Sequence, residues 1–267
     1  MTKSFAPRYE RNEEGWVLFP RDTPLRRQLF PFTDPAEHIA KANMYMIREL
    51  VKFVSEPSEI ILDPFAGTGT ILVAATMGRE VLMIELEDTY CQTIELNIIG
   101  VRQSFPEVDK LVNLIPGDNS KILPIPEFCD HMLFSPPYSN LLKKKGEMDK
   151  ASIALGYGAA TQYTTHPDNV GNLSDFLYFQ KMEKVYTKFF QSLKAGGTMT
   201  IIIKDRMVAG ERIRLSDRAE RDCLRIGFEL VERNKWLARG GGYAAVNRAA
   251  GLVTVDDEDL ITLRKPK

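Results

Sequence analysis

Apolar positions along this chain switch between two spacings, and the switching predicts helices and strands in turn. In residues 38–54, Ile39, Met46, Ile47, Leu50, Val51 and Val54 fall near the helical period of about 3.6, so a helix is expected. A short apolar run at 59–62 predicts a buried strand, 71–77 reads as helical, and 80–84 predicts a second strand with Glu85 at its end. A helix over 88–101, a strand over 110–115 ending at Gly117-Asp118, and a strand over 128–134 follow. Residues 174–193 predict a helix with Ser174 as N-cap and Ala195-Gly196-Gly197 as its close. Beyond it come a central strand at 199–203, a helix at 217–226 and strands at 228–236 and 260–263. The last two form an expected antiparallel pair around the Gly240-Gly241-Gly242 loop. Strands alternating with helices call for an α/β fold with a doubly wound, mostly parallel sheet.

Two segments escape the pattern. Residues 1–37, rich in Pro, Arg and aromatics, read as an amino-terminal arm that packs on the body or covers the site. Residues 139–173 are polar and too long for a simple connection, which suggests an insert contacting substrate. Neither a repeat nor a linker interrupts the chain, so a single domain over 1–267 is expected.

Composition narrows the functional classes. The 267 residues carry a formal charge of −1, which argues against holding nucleic acid through bulk electrostatics. A local basic groove is still available from Lys143, Lys144 and Lys145 together with Arg206, Arg212 and Arg214. Solvated surface charge is the plainer reading of either run alone. Tyr243, after the glycine loop, is a candidate for stacking on a base, its plainer reading being a flexible loop. No stretch approaches the roughly 18 apolar residues of a membrane span and no signal pattern opens the chain, so a cytoplasmic protein is expected. The three cysteines, Cys91, Cys129 and Cys223, have no metal-ligand spacing, so no metal is expected.

Chemistry concentrates at the ends of the predicted strands. Asp63-Pro64-Phe65-Ala66-Gly67-Thr68-Gly69-Thr70 turns a strand into a helix, with two glycines that let the backbone approach a ligand closely. No lysine follows, so a nucleoside triphosphate is not its guest. Asp63 prefers an amine, Glu85 with Leu86 stands where an acid holds ribose hydroxyls, and Asp118 with Asn119 can accept from an adenine amine. A nucleoside carrying a cationic amino-acid end satisfies all three acids, and S-adenosylmethionine is that molecule. The second motif is Ser135-Pro136-Pro137-Tyr138. Its prolines donate no backbone hydrogen bonds and so end a strand rigidly, leaving a hydroxyl, a fixed carbonyl and an aromatic face to hold a planar ring with an exocyclic amine. Alone, this tetrapeptide also suits an ordinary turn.

Together the two motifs resemble those of the S-adenosylmethionine-dependent nucleic-acid amino-methyltransferases, which modify cytosine N4 or adenine N6. The resemblance spans about residues 41–204. It implies a Rossmann-like methyltransferase fold, with a seven-stranded sheet and an antiparallel carboxyl-terminal strand. The Asp63–Thr70 loop looks like the family's cofactor loop, Ser135-Pro136-Pro137-Tyr138 its catalytic tetrapeptide, and the 38–54 helix the segment closing over the cofactor's methionine end. Many short members have these loops in the reverse order, a circular change that leaves both on one sheet edge. A serine at position 135 tilts the implied target toward cytosine N4, with adenine N6 in DNA as the alternative. The expected partner is nucleic acid, DNA first and RNA second. The alternatives are methylation of a small molecule or protein amide, and an inactive nucleic-acid-binding subunit.

Overall fold

In the computed structural model, nine strands and seven α-helices follow one another through residues 3–34, 41–137, 166, 168–208, 210–238, 248–249, 251 and 253–267, which are the residues described. The strands are β1 (Ile60–Asp63), β2 (Glu80–Glu85), β3 (Val112–Pro116), β4 (Cys129–Phe134), β5 (Leu193–Ile203), β6 (Arg206–Val208), β7 (Glu211–Ile213), β8 (Glu229–Leu237) and β9 (Asp257–Arg264). The helices are α1 (Thr23–Leu29), α2 (Met44–Val54), α3 (Asp88–Ser104), α4 (Val108–Leu111), α5 (Asn119–Ile122), α6 (Asp175–Ser192) and α7 (Leu215–Ile226).

Seven strands form one sheet in the order β3-β2-β1-β4-β5-β9-β8. All neighbours among β1 to β5 run parallel, and β9 runs antiparallel to both β5 and β8. The expected mostly parallel sheet with its antiparallel carboxyl-terminal strand is therefore present. Alternation along the strands feeds a core on each face. Ile61, Val81 and Met83 pack with α2 and the amino-terminal segment, while Leu62, Leu82 and Ile84 pack with α6 and α7. Among the described residues no helix is long and apolar enough to cross a membrane.

Several expected boundaries shift for local reasons. Helix α2 starts at Met44 rather than 38, because Asn43 Oδ1 accepts from the N–H groups of Tyr45 (2.9 Å) and Met46 (3.2 Å) and so caps it. Residues 35–40 lie outside those described. The 71–77 run is a 3₁₀ helix, Thr70–Met77, flanked by left-handed Gly69 and Gly78. The first part of the expected 110–115 strand turns into α4, and β3 begins at Val112. Helix α6 passes directly into β5 at Leu193, so Gly196 and Gly197 belong to a strand rather than a helix cap. A Cβ on Gly197 would come 2.7 Å from the Asp130 carbonyl, and that close approach calls for glycine at this position of β5.

The amino-terminal segment is built into the body. Val17 exchanges backbone hydrogen bonds with β8 (Val17 N to Lys235 O, 2.9 Å; Leu237 N to Val17 O, 3.0 Å), covering the sheet's outer edge. Phe5 is fully buried against Phe53 of α2, with ring centroids 6.0 Å apart.

Candidate functional site

Strand order fixes where chemistry can occur. β1 lies between β2 and β4, so the segments leaving β1 and β4 depart from neighbouring strands at the same edge, a topological switch point. A cleft there is lined by Asp63, Pro64, Phe65, Ala66, Gly67, Thr68 and Thr70 from the first loop, Glu85 and Leu86 after β2, Asp118 and Asn119 after β3, and Ser135, Pro136 and Pro137 after β4. Of the loop, strand-end and tetrapeptide residues expected from sequence, Gly69 alone among those described is set back from it. Its left-handed φ of +75° turns the chain into the 3₁₀ helix, and a Cβ there would meet Ile94 Cγ1 at 3.0 Å.

Glu85 does more than stand at the end of β2. Its Oε2 accepts from Gly67 N at 2.6 Å and its Oε1 from Glu87 N at 3.0 Å, so this carboxylate shapes the glycine turn. Asp63 Oδ1 accepts from Phe65 N at 3.0 Å, and Asn119 Nδ2 donates to the Pro64 carbonyl at 2.6 Å. Burial pushes the Glu85 carboxyl up to about 7 against the pull of its two backbone donors. Burial also raises Asp63 to about 7, and the nearby Glu85 charge adds to that rise.

Aromatic packing joins the two loops. Phe65 of the first loop lies 5.7 Å from Phe134, the last residue of β4, which lies 5.2 Å from Phe189 of α6. The backbone that leads into Ser135 is thereby keyed to the turn opposite it. Tyr138 lies outside the described residues, as do Lys143, Lys144, Lys145 and Tyr243.

The three arginines expected at a basic groove are in or beside the β6–β7 hairpin, and none lines the cleft. Arg206 is ion-paired with Asp175, Arg214 contacts Asp217 at 3.5 Å, and Arg212 bridges Asp205 and Asp257 at 2.8 and 2.7 Å. The Arg212 fork is engaged inside the protein rather than presented to a ligand, and this corrects the expectation of a groove cation.

Sequence reasoning missed Lys41, Ala42, Tyr90, Asp168 and Asn169, all of which line the cleft. They reach it from other segments, and no local pattern marks them. Among the described residues no cluster of three potential metal ligands occurs.

Residues 7–96 match the family model described as DNA methylase, of the N6/N4 type. That match covers about a third of the chain and marks a likeness to that family over those residues. The match takes in the Asp63–Thr70 loop and stops before Ser135-Pro136-Pro137-Tyr138. No curated protein matches the chain. Among solved structures, TrmN from Thermus thermophilus is similar at 18% identity and a TM-score of 0.53, over 90% of this chain and 53% of TrmN. The chain thus spans about half the length of TrmN. The [4+2]-cyclase SpnF is similar at 14% identity and TM-score 0.54, over 92% of this chain and 93% of SpnF. The glycopeptide N-methyltransferase MtfA, crystallised with S-adenosyl-L-homocysteine, is similar at 14% identity and TM-score 0.51, over 93% of this chain and 100% of MtfA. These likenesses establish the fold.

The cleft fits S-adenosylmethionine on its own chemistry. Asp118 Oδ2 is buried and accepts no hydrogen bond among the described residues, its nearest cation being Lys121 at 3.8 Å. A buried acceptor left in that state awaits a donor. Open space surrounds the Cβ position of Gly67, and Asp63 and Glu85 offer negative charge to an ammonium and two hydroxyls.

Proposed function

We propose that this protein is an S-adenosylmethionine-dependent methyltransferase that transfers a methyl group to the exocyclic amine of a base in nucleic acid, with cytosine N4 in DNA first. The observation that supports this most is the pairing of β1 with β4, after which the Asp63–Thr70 loop and Ser135-Pro136-Pro137 line one cleft. Bound in that cleft, S-adenosylmethionine supplies an electrophilic methyl group. Asp63 would hold the ammonium of its amino-acid end, Glu85 the ribose hydroxyls, and Asp118 the adenine amine.

The remaining steps belong to the tetrapeptide. An exocyclic amine is a poor nucleophile because its lone pair is delocalised into the ring. Accepting its two hydrogens at the Ser135 hydroxyl and the Pro136 carbonyl favours a more tetrahedral nitrogen with a localised pair. Ser135 is too weak a base for more than positioning and partial proton acceptance. Holding amine and methyl in line accounts for much of the rate, since such orientation is worth on the order of 7 kcal/mol or more. In a duplex the target base must leave the stack to reach this cleft. Stacking on Tyr138 would return about 1 to 3 kcal/mol of that cost.

The DNA methylase description of the matching family favours DNA over RNA, and Ser135 favours cytosine over adenine. The test is incubation with labelled S-adenosylmethionine and separate DNA, RNA and protein pools, followed by mass spectrometry of the nucleosides. N4-methylcytosine in DNA is the expected product. N6-methyladenine or a methylated ribonucleoside would reassign the base or the polymer, and label confined to protein would overturn the reading.

A further inference from the structure

Exposed apolar surface is unevenly spread over the molecule. Of the ten large apolar side chains exposed among the described residues, Phe32, Leu96, Ile99 and Phe105 belong to α3 or to chain beside it, so one helix carries a disproportionate share. Phe32 is held there by its neighbours. Pro31 Cδ would stand 2.6 Å from a Cβ on Gly100, and Thr33 Oγ1 donates to Asn97 Oδ1 at 2.8 Å, so residues 31–33 run along one flank of the helix.

The outward face of α3 reads alike in both directions. At about 100° per residue, Gln92, Leu96, Ile99 and Gln103 fall on one exposed stripe, successively four, three and four residues apart. Reversed, the stripe is again glutamine, aliphatic, aliphatic, glutamine. Glu95 and Arg102, two turns apart, share the flank away from Phe32 and carry opposite charges. Glu95 is exposed and enters no ion pair among the described residues. Arg102 gives Nε and Nη2 to Asp109, each at 2.7 Å, which leaves Nη1 for another acceptor.

Such a reversible pattern is what a two-fold interface requires, because there one patch meets itself. With two α3 helices antiparallel about an axis between Asn97 and Ile98, Leu96 stands opposite Ile99 of the second copy and Gln92 opposite its Gln103. Glu95 then lies within about 3 Å, measured along the helix, of Arg102 of the second copy. A parallel pair would instead set Glu95 against Glu95. Charge therefore selects the antiparallel arrangement, and symmetry forms every contact twice.

We infer that the outer face of α3 is the contact surface for a second copy of this chain, packed antiparallel across a two-fold axis. This goes beyond the proposed reaction and does not rest on it. Tyr90, near the start of α3, lines the cleft, so the dimer would place its two clefts at opposite ends of a 17-residue helix pair, about 25 Å long. One helix and one flanking segment offer less than the roughly 800 Å² per partner of a standard interface, so the dimer is weak and concentration-dependent.

Sedimentation equilibrium on the full chain, from micromolar to near-millimolar concentration, is expected to show monomer and dimer in exchange. Leu96→Glu is expected to weaken the dimer about a hundredfold or more, since it buries two unpaired carboxylates near the axis. Should that variant fail to fold, Ile99→Glu is read in the same way. Glu95→Arg and Arg102→Glu, each alone, oppose like charges at both symmetry-related sites and are expected to weaken it about tenfold or more. Mixed in equal amounts, these two variants are expected to recover dimers of near wild-type strength, because every facing pair is then of opposite sign. Recovery between chains would not follow from a role inside one chain, the Arg102 pair with Asp109 included. A protein that stays monomeric throughout overturns the inference. So does a dimer that Leu96→Glu leaves unchanged, or a mixture no stronger than its two parts.

Discussion

Two sets of buried acids stand on the same edge of one sheet and are treated in opposite ways. Asp63 and Glu85, ending β1 and β2, receive backbone N–H groups but no cationic side chain within salt-bridge distance among the described residues, and burial raises both to about 7. Asp257 and Asp259 on β9, with Asp205 after β5, are equally buried but are met by arginines. Arg212 binds Asp257 bidentately at 2.9 and 2.7 Å and reaches Asp205 at 2.8 Å, while Arg233 holds Asp259 at 2.8 Å. Burial pushes the Asp257 carboxyl up, but hydrogen bonds from Arg212 and Lys235 outweigh it and hold the group at about 2. The difference separates a ligand site from a structural clamp. Where the protein supplies the counter-charge, the acid fixes the fold; where it withholds one, the acid is left for a ligand's donors, in the proposed reading the ammonium at Asp63 and the ribose hydroxyls at Glu85.

The sharpest way to break this comparison is to remove a counter-charge from the clamp. Arg212→Met leaves buried Asp205 without a cationic partner among the described residues and Asp257 with Lys235 alone, and a loss of ~3 kcal/mol in unfolding free energy is expected by urea titration. Affinity for S-adenosylhomocysteine should stay near wild type in the folded protein. The converse substitution, Asp63→Asn, is expected to lower that affinity roughly ten- to a hundredfold, the worth of a charged hydrogen bond. Its stability at pH 8 should be unchanged or higher, because an uncompensated buried charge has been removed. A large stability loss in Asp63→Asn would place both sets of acids in one class and end the distinction.

The ligand-facing set was far more legible in sequence than the clamp. Asp63 and Glu85 each end a strand and Asp118 stands two residues past the end of β3, and strand ends can be read from local apolar patterns. The Asp63–Thr70 loop was legible for a similar reason, since glycines at 67 and 69 admit the positive φ that the turn requires. Nothing local marks Asp257 as the partner of Arg212, 45 residues away, and that pairing exists only once β9 has inserted beside β5. Arg212 therefore read as a free surface cation. Asn169, Tyr90 and Lys41 were missed because they reach the cleft by tertiary placement alone. The amino-terminal segment was read as an arm, since its buried Phe5 and Val17 follow no period; they cover the edge of β8 and the face of α2 rather than form an element.

Proton linkage sharpens the same contrast. In the folded protein Asp63 and Glu85 titrate near 7, above their unfolded values of 3.8 and 4.5. Between about pH 4 and 7 the native state therefore binds more protons than the unfolded one, and stability falls as pH rises through that window. The clamp acts in the other direction, because Asp257 contributes stability above its unfolded value of 3.8 that is lost as pH falls through about 2. Ligand binding should follow the first set. Affinity for S-adenosylhomocysteine is expected to rise about tenfold from pH 6 to pH 8 for each carboxyl that must be ionised, since a group titrating at about 7 goes from roughly a tenth to nine-tenths ionised over that range. Calorimetry across that range checks it, and a flat profile would mean that neither carboxyl ionises on binding.

The smallest expected effects divide fold from ligand within a single loop. Gly67 and Gly69 both have positive φ, +54° and +75°, so alanine at either position costs about 1 kcal/mol in backbone strain. Their surroundings differ. A Cβ on Gly69 would meet Ile94 Cγ1 at 3.0 Å, whereas one on Gly67 would enter open space that lines the cleft. Gly69→Ala should therefore be the less stable variant by thermal melting, because packing adds to strain. Gly67→Ala should lose the more affinity for S-adenosylhomocysteine, because its methyl group takes space meant for the ligand and stands beside the N–H that Glu85 accepts. If Gly67→Ala bound as tightly as wild type, the open space at Gly67 would not belong to the cofactor, and the boundary of the ligand-facing set would have to be moved toward Asp63.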